Sequence, residues 1–110
     1  MPLPEVGKRP RFDYLLGLLQ EEASEITVEV SKCLRFGLTE QYTPDHPINI
    51  DRVRNEVQDL LTVINIIERD YGIDLGLGKP DVAYRITKED KIEHYLGLSH
   101  TFGLVDNRKR

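Results

Sequence analysis

Two long apolar stripes at helical spacing constrain the fold of this chain more than any other feature. In each stripe, hydrophobic residues recur at alternating steps of four and three, the pattern of one buried helix face. The stripes comprise Phe12, Leu16, Leu19, Ala23, Ile26, Val30 and Cys33, and then Ile50, Val53, Val57, Leu60, Ile64, Ile67 and Tyr71. We expect one helix from about residue 12 or 13 to Phe36 and a second from Asn49 or Asp51, either of which can cap it, to Tyr71. The pattern predicts an all-α fold.

Four acidic residues lie beside these stripes in matching positions. At about 100° per residue, Glu22 and Glu56 lie roughly 65–70° from their own stripe, and Glu25 and Asp59 roughly 125–130°. The offsets have the same hand on both helices. Equal offsets of one hand meet on one side only when the helices pack antiparallel. The sequence therefore predicts an antiparallel helical hairpin with converging carboxylates.

Converging carboxylates repel one another, so we expect a cation between them. A solvated acidic face is the alternative, but Asp59 is a poor helix former and no basic residue follows it by four positions. Mg²⁺ prefers oxygen ligands, and Mn²⁺ is also possible. A di-iron bundle would use Glu-x-x-His, whereas Val28 and Asp59 stand where histidine would be.

The rest of the chain is predicted to complete one domain, residues 1–110. Residues 1–10 read as an extended arm, residues 38–48 and 72–86 as connections, and residues 105–110 as a basic tail. A shorter third helix is expected from Thr87, with Asp90 at a capping-box position, toward Phe102. The second helix has more apolar surface than one partner helix can bury, which predicts a homo-oligomer, a dimer or tetramer, that completes a four-helix bundle.

Charge and cysteine content exclude several function classes. The net charge is −4, but residues 12–107 carry nine basic and eighteen acidic residues, so the body of the chain would repel nucleic acid. No secretory signal and no membrane-spanning segment is expected, and no membrane partner. Cys33 is the only cysteine, which excludes an internal disulfide and favours a reducing cytoplasm.

The acidic motif also resembles a known family. Glu21-Glu22-x-x-Glu25, followed by Glu56-x-x-Asp59, with Arg35-Phe36-Gly37 closing the first helix, is similar to the MazG-like all-α nucleoside triphosphate pyrophosphohydrolases over about residues 13–75. The resemblance implies Mg²⁺-dependent hydrolysis of a nucleoside triphosphate to the monophosphate and pyrophosphate, in an oligomer of helical bundles. It implies metal ligation by Glu22, Glu25, Glu56 and Asp59. Glu21 or Glu25 would then accept a proton from the attacking water.

Four basic residues are candidates for binding the substrate phosphates. Lys32 follows Glu25 by one heptad and lies on the same flank, although it could instead pair with Glu29. The other candidates are Arg35, Lys88 and Lys91. A second class of function stays open: a non-catalytic helical oligomer that binds metal, nucleotide or a protein partner through the acidic seam. This seam is the side of the helix pair that carries Glu22, Glu25, Glu56 and Asp59.

Overall fold

Three α-helices form the regular structure of residues 7–106 and 108, which this computed structural model describes. They are α1, Arg11–Phe36, α2, Asn49–Tyr71, and α3, Val82–Thr101, and no strand occurs among the described residues. The all-α prediction is confirmed. None of these helices is both long and apolar enough to cross a membrane.

The chain divides into two compact units, Met1–Gly78, with α1 and α2, and Lys79–Arg110, with α3. The single domain over residues 1–110 stays a prediction. Residues 1–6 of the predicted arm lie outside the described residues, and residues 7–10 precede α1 without helix. Residues 107, 109 and 110 of the predicted tail also lie outside them.

Contacts at both ends join α1 to α2. In the first turn of α1, the Arg11 guanidinium donates to Asp70 at 2.9 Å and to the Tyr71 hydroxyl at 3.2 Å. The Phe12 and Tyr71 rings lie 5.0 Å apart. Beyond the last turn of α1, the Gly37 carbonyl accepts a hydrogen bond from the Asn49 side chain at 2.9 Å. The contacts therefore pair the start of α1 with the end of α2, and the end of α1 with the start of α2.

The α1 face that meets α2 differs from the predicted stripe. The core consists of Leu15, Val63 and Ile67, with Phe12, Leu18, Leu19 and Ile66 packed against it. The prediction that Leu16, Ala23 and Val30 are buried is wrong, because all three are exposed. Positions one residue earlier are covered instead: Leu15 and Glu29 are buried and Glu22 is half-buried.

The rotation of α1 has a physical reason. Phe12, Leu19 and Ile26 belong to both possible faces, so their spacing does not choose between them. The buried Glu29 carboxylate has charged partners on this face, including Arg52 of α2. These partners compensate the charge of Glu29 on a face that also carries Glu22. Leu16, Ala23 and Val30 are left as an outer apolar stripe.

The predicted start of α3 and the predicted cap of α2 are wrong, whereas α2 begins at Asn49, one of its two predicted starts. The α3 helix begins at Val82 and not at Thr87, because the Asp81 side chain accepts a hydrogen bond from the Tyr84 N–H at 2.9 Å. The Thr87 hydroxyl donates to the Ala83 carbonyl within the helix. The predicted connection 72–86 is correspondingly shorter. No side chain caps α2 either, since Ile48 occupies the N-cap position.

Glycines follow α1 and α2 directly, at the helix ends predicted from the sequence. Gly37 and Gly72 have φ values of 94° and 67°, which a side chain would strain. Their N–H groups donate to the Cys33 and Glu68 carbonyls, closing the last turns.

Candidate metal site and adjoining cleft

Three carboxylates from two helices form an acidic cluster: Glu22 of α1 with Glu56 and Asp59 of α2. Each offers one oxygen, and these oxygens all lie within 4.8 Å of one another. Glu22 and Glu56 are half-buried and Asp59 is exposed. Oxygens bound to one Mg²⁺ at its usual bond length lie roughly 3–4.2 Å apart, so small rotations of these side chains suffice to bind the ion. The donor set therefore fits a hard divalent cation.

The electrostatics of Glu56 agree with this fit. Burial raises the pKa of Glu56, and the negative charges of Asp59, Glu22 and Glu25 raise it further. A hydrogen bond with Glu22 also favours the protonated form and so raises the pKa of Glu56. A divalent cation would favour the ionised form and remove this repulsion.

The remaining predicted acids lie around the cluster. Glu25 and Glu21 are both exposed on α1. Glu25 is outside the group whose oxygens converge, but its charge acts on Glu56. The structure thus brings together three of the four predicted ligands and leaves Glu25 beside them. Ligation by Glu25, and proton transfer by Glu21 or Glu25, stay predictions.

A buried ion-pair network lies next to the acidic cluster. The Arg52 guanidinium donates to both Glu29 oxygens, from Nε at 3.0 Å and from the terminal nitrogen at 3.3 Å. Lys32 Nζ also donates to Glu29, at 3.3 Å. The Glu29 side chain is only 5% exposed, against 32% for Arg52 and 41% for Lys32. The Arg52 hydrogen bonds outweigh burial and lower the pKa of Glu29.

Sequence reasoning missed Arg52. It considered Glu29 only as a partner for Lys32, and that contact does form. Heptad spacing held the signal: Glu29 follows Glu22 by seven positions, and Arg52 precedes Asp59 by seven. Glu29 thus repeats the position of Glu22 on α1, while Arg52 gives α2 an opposite charge to meet it.

The other predicted phosphate-binding residues lie further along the chain. Arg35 is exposed near the end of α1, with its guanidinium 5.1 Å from the Phe36 ring centre. Lys88 and Lys91 are exposed on α3, in the other compact unit. Their binding of phosphate stays a prediction.

A cleft of about 410 Å³ opens where α1, the 38–48 connection and α2 meet. Its lining residues are Lys32, Phe36, Glu40, Tyr42, His46, Asn49 and Arg52. Lys32 and Arg52 belong both to this lining and to the ion-pair network, so the cleft adjoins the seam between the two helices. The sequence pattern does not predict the cleft, because a connection between helices has no regular spacing of apolar residues.

Side-chain hydrogen bonds shape the connection beside the cleft. Thr43 Oγ1 and His46 Nδ1 lie 2.6 Å apart, and Gln41 Nε2 donates to the His46 carbonyl at 2.6 Å. Asn49 Nδ2 donates to Glu40 Oε2 at 3.0 Å as well as to the Gly37 carbonyl. The connection is therefore held by its own residues.

Comparison with known proteins identifies no relative. No protein-family model, no curated protein and no solved structure matches this chain. The features that bear on function are therefore the acidic cluster, the ion-pair network and the cleft, and the motif resemblance remains a hypothesis.

Proposed function

We propose that this protein is a Mg²⁺-dependent nucleoside triphosphate pyrophosphohydrolase, built on an antiparallel hairpin of α1 and α2. One observation carries the proposal: Glu22, Glu56 and Asp59, selected from the sequence by phase and motif, have carboxylate oxygens within 4.8 Å of one another. Their mutual repulsion, which raises the pKa of Glu56, supports a bound cation as its counterion.

Each acid has a role in this proposal. Glu22, Glu56 and Asp59 would hold Mg²⁺, with Glu25 as a further ligand. When bound, the ion would neutralise part of the phosphate charge and lower the pKa of a water molecule bound to it. Glu25 or Glu21, exposed beside the cluster, accepts the proton of the attacking water. Manganese could replace magnesium, since both accept carboxylate oxygens.

The ion-pair network places positive charge next to the cluster. Two cations, Arg52 and Lys32, share one buried anion, Glu29, which leaves one net positive charge. Arg52 precedes Glu56 by one helical turn, about 6 Å along the axis. A phosphate bound at the acidic cluster thus lies within the reach of a guanidinium, which binds phosphate oxygens in pairs.

Hydrolysis in ¹⁸O-labelled water tests the reaction. Purified protein is incubated with Mg²⁺ and a panel of nucleoside triphosphates, and pyrophosphate and monophosphate are measured. We expect the label in the monophosphate, because attack at the α-phosphorus forms the new P–O bond there. Label in pyrophosphate would indicate attack at the β-phosphorus, and label only in orthophosphate would contradict the proposal.

A matched pair of variants links that activity to the cluster. Glu56→Gln should abolish turnover, whereas Glu89→Gln, an exposed glutamate of α3, should not change it. Nucleotide or metal binding without any turnover would instead support the non-catalytic alternative.

We also propose that the outer apolar stripe is covered by a second copy in a dimer or tetramer. Leu16 and Val30 of α1 are 42% and 39% exposed, and Ile50 of α2 is 42% exposed. Pairing two hairpins through these residues would complete a four-helix bundle. Sedimentation at micromolar concentration tests this, and a well-folded monomer would contradict it.

A further inference from the structure

We propose that the cleft is the nucleoside subsite, which binds the base and sugar while the triphosphate extends past Arg52 to the acidic cluster. We further infer that it prefers bases carrying an exocyclic amino group, adenine and cytosine among them, over uracil. This inference rests on the proposed function, because it assigns a second part of the same substrate.

Size and composition suit the cleft to a nucleoside. Its volume of about 410 Å³ lies within the roughly 300–1,000 Å³ of small-molecule sites. Three aromatic rings line it: Phe36 from α1, and Tyr42 and His46 from the connection. The Tyr42 and His46 rings meet edge to face at 5.2 Å, which supports the Tyr42 ring. Tyr42 is 81% exposed, so its ring is available for stacking on a base, whereas the Arg35 guanidinium lies over one face of the Phe36 ring.

Asn49 gives the cleft a fixed hydrogen-bond acceptor. The residue is only 3% exposed, and both of its side-chain hydrogen bonds use Nδ2. The partners, the Gly37 carbonyl and the Glu40 carboxylate, only accept, so the amide group must face them with its nitrogen. Oδ1 accepts no hydrogen bond from the described residues. No fully buried side-chain oxygen among them lacks a partner, so Oδ1 remains accessible in a residue that lines the cleft.

Glu40 adds a second acceptor. Its Oε2 accepts from Asn49, and the carboxylate lines the same cleft. Asn49 Oδ1 and the Glu40 carboxylate together present acceptors to a ligand that must supply donors. An exocyclic amino group, such as that of adenine or cytosine, supplies N–H donors. Uracil has a carbonyl group at the corresponding position, which is another acceptor. The preference follows from this mismatch.

The position along the seam sets the orientation of the substrate. Asn49 precedes Glu56 by seven residues, about 10 Å along the helix. Arg52 lies between them and lines the cleft. A nucleoside in the cleft therefore places its 5′ phosphate at Arg52, next to the acidic cluster. Pyrophosphate would leave from the far side of the cluster.

The test measures the binding of nucleosides and the hydrolysis of triphosphates separately, on the whole chain of 110 residues. Adenosine, cytidine and uridine, which lack phosphates and need no metal, are titrated by ¹H–¹⁵N NMR. We expect adenosine or cytidine to shift the amide signals of residues 40–49, with uridine binding more weakly by about tenfold. Steady-state kinetics with ATP, CTP and UTP should show the same order in kcat/KM.

Variants assign the effect to the cleft. Tyr42→Ala should raise KM by about tenfold, the scale of losing one stacking ring, with kcat unchanged. Tyr42→Phe keeps the ring and should restore KM. Tyr84→Ala is the control, since Tyr84 is 70% exposed on α3 and does not line the cleft. Glu40→Gln should narrow the difference between CTP and UTP, because the amide can donate as well as accept.

The outcomes separate this inference from the proposed function. Triphosphate turnover with no nucleoside-dependent shift in residues 40–49, or with an unchanged KM in Tyr42→Ala, would overturn the nucleoside subsite alone. Shifts in these residues without turnover of any triphosphate would overturn the proposed function and support the subsite. Uridine binding as tightly as adenosine and cytidine would overturn the base preference.

Discussion

Removing Arg52 should destabilise the protein far more than removing its partner Glu29. In Arg52→Leu, the 5% exposed Glu29 carboxylate loses two charged hydrogen bonds and keeps only Lys32 at 3.3 Å. Breaking a fully buried pair in this way costs about 3–5 kcal/mol. Because Lys32 remains and Arg52 is itself 32% exposed, we expect about 2–3 kcal/mol.

The opposite substitution leaves no buried charge. In Glu29→Leu, Arg52 and Lys32 are 32% and 41% exposed and can turn into water. Replacing a buried ion by an apolar residue is often neutral or stabilising, so we expect a change within about 1 kcal/mol. The double variant should recover most of the loss seen in Arg52→Leu, since it buries no unpaired carboxylate.

The pH dependence gives an independent check. The Arg52 hydrogen bonds lower the pKa of Glu29 below its ordinary value of 4.5. Glu29 therefore stabilises the wild type above that value, and this contribution is lost as pH falls through the lowered folded pKa. Arg52→Leu removes the largest cause of the lowered pKa of Glu29, so we expect the carboxyl group to become neutral at a higher pH than in the wild type. The stability deficit of the variant should therefore shrink as pH falls below 4.5 toward the lowered pKa of the wild type.

Urea unfolding followed by far-UV circular dichroism measures these differences, because the chain has no tryptophan. Protein concentration must be held fixed, since association would contribute to stability. Equal losses in Arg52→Leu and Glu29→Leu would refute the reasoning. Losses below about 0.5 kcal/mol in both would show that the pair behaves as an ordinary surface salt bridge.

Three further predictions concern the metal, the loop after α2 and the oligomer. In Asp59→Asn, the stability of the metal-free protein should be unchanged or higher, while the Mg²⁺-dependent rise in melting temperature is lost. A wild-type melting temperature that does not change with Mg²⁺ would contradict the metal site. Glu68 accepts hydrogen bonds from the backbone N–H groups of Leu75, Leu77 and Gly78, which lower its pKa. These bonds should be lost as pH falls through that lowered pKa, and Glu68→Ala should speed hydrogen exchange at the three amides while Glu89→Ala does not. Val30→Lys on the outer apolar stripe should shift sedimentation toward monomer, and an unchanged sedimentation coefficient would place the interface elsewhere.

The sequence predicted the positions of α1 and α2 along the chain, but not the face of α1 that is buried. Apolar spacing located α1 and α2 because it extends over many turns and ends at Gly37 and Gly72. It did not determine which face of α1 meets α2, since Leu15 and Leu16 are both apolar and belong to alternative stripes. The observed face carries a long-range charge pair, Glu29 with Arg52, which local periodicity does not encode.

The predicted convergence of the three acids is observed, whereas the predicted start of α3 is wrong. Glu22, Glu56 and Asp59 converge as their phase indicated, because a small rotation of α1 keeps them on the same side of the seam. The start of α3 was placed too late, since Asp81 after Pro80 is also a capping signal and lies upstream of Thr87. The cleft depends on side-chain contacts of the connection, which a linear pattern does not reveal.

The fixed ends of the connection between α1 and α2 have a consequence for evolution and for protein engineering. Asn49 ties Gly37 to Glu40, and the Ile50 N–H donates to the Leu38 carbonyl at 3.0 Å. Residues 41–47 thus lie between two hydrogen-bonded ends, away from the helical positions of the acidic cluster. Insertions and exchanges there can be inherited, or grafted from another sequence, without disturbing the carboxylates. For the proposed nucleoside subsite and metal site, ligand choice and bond cleavage can therefore change independently of each other.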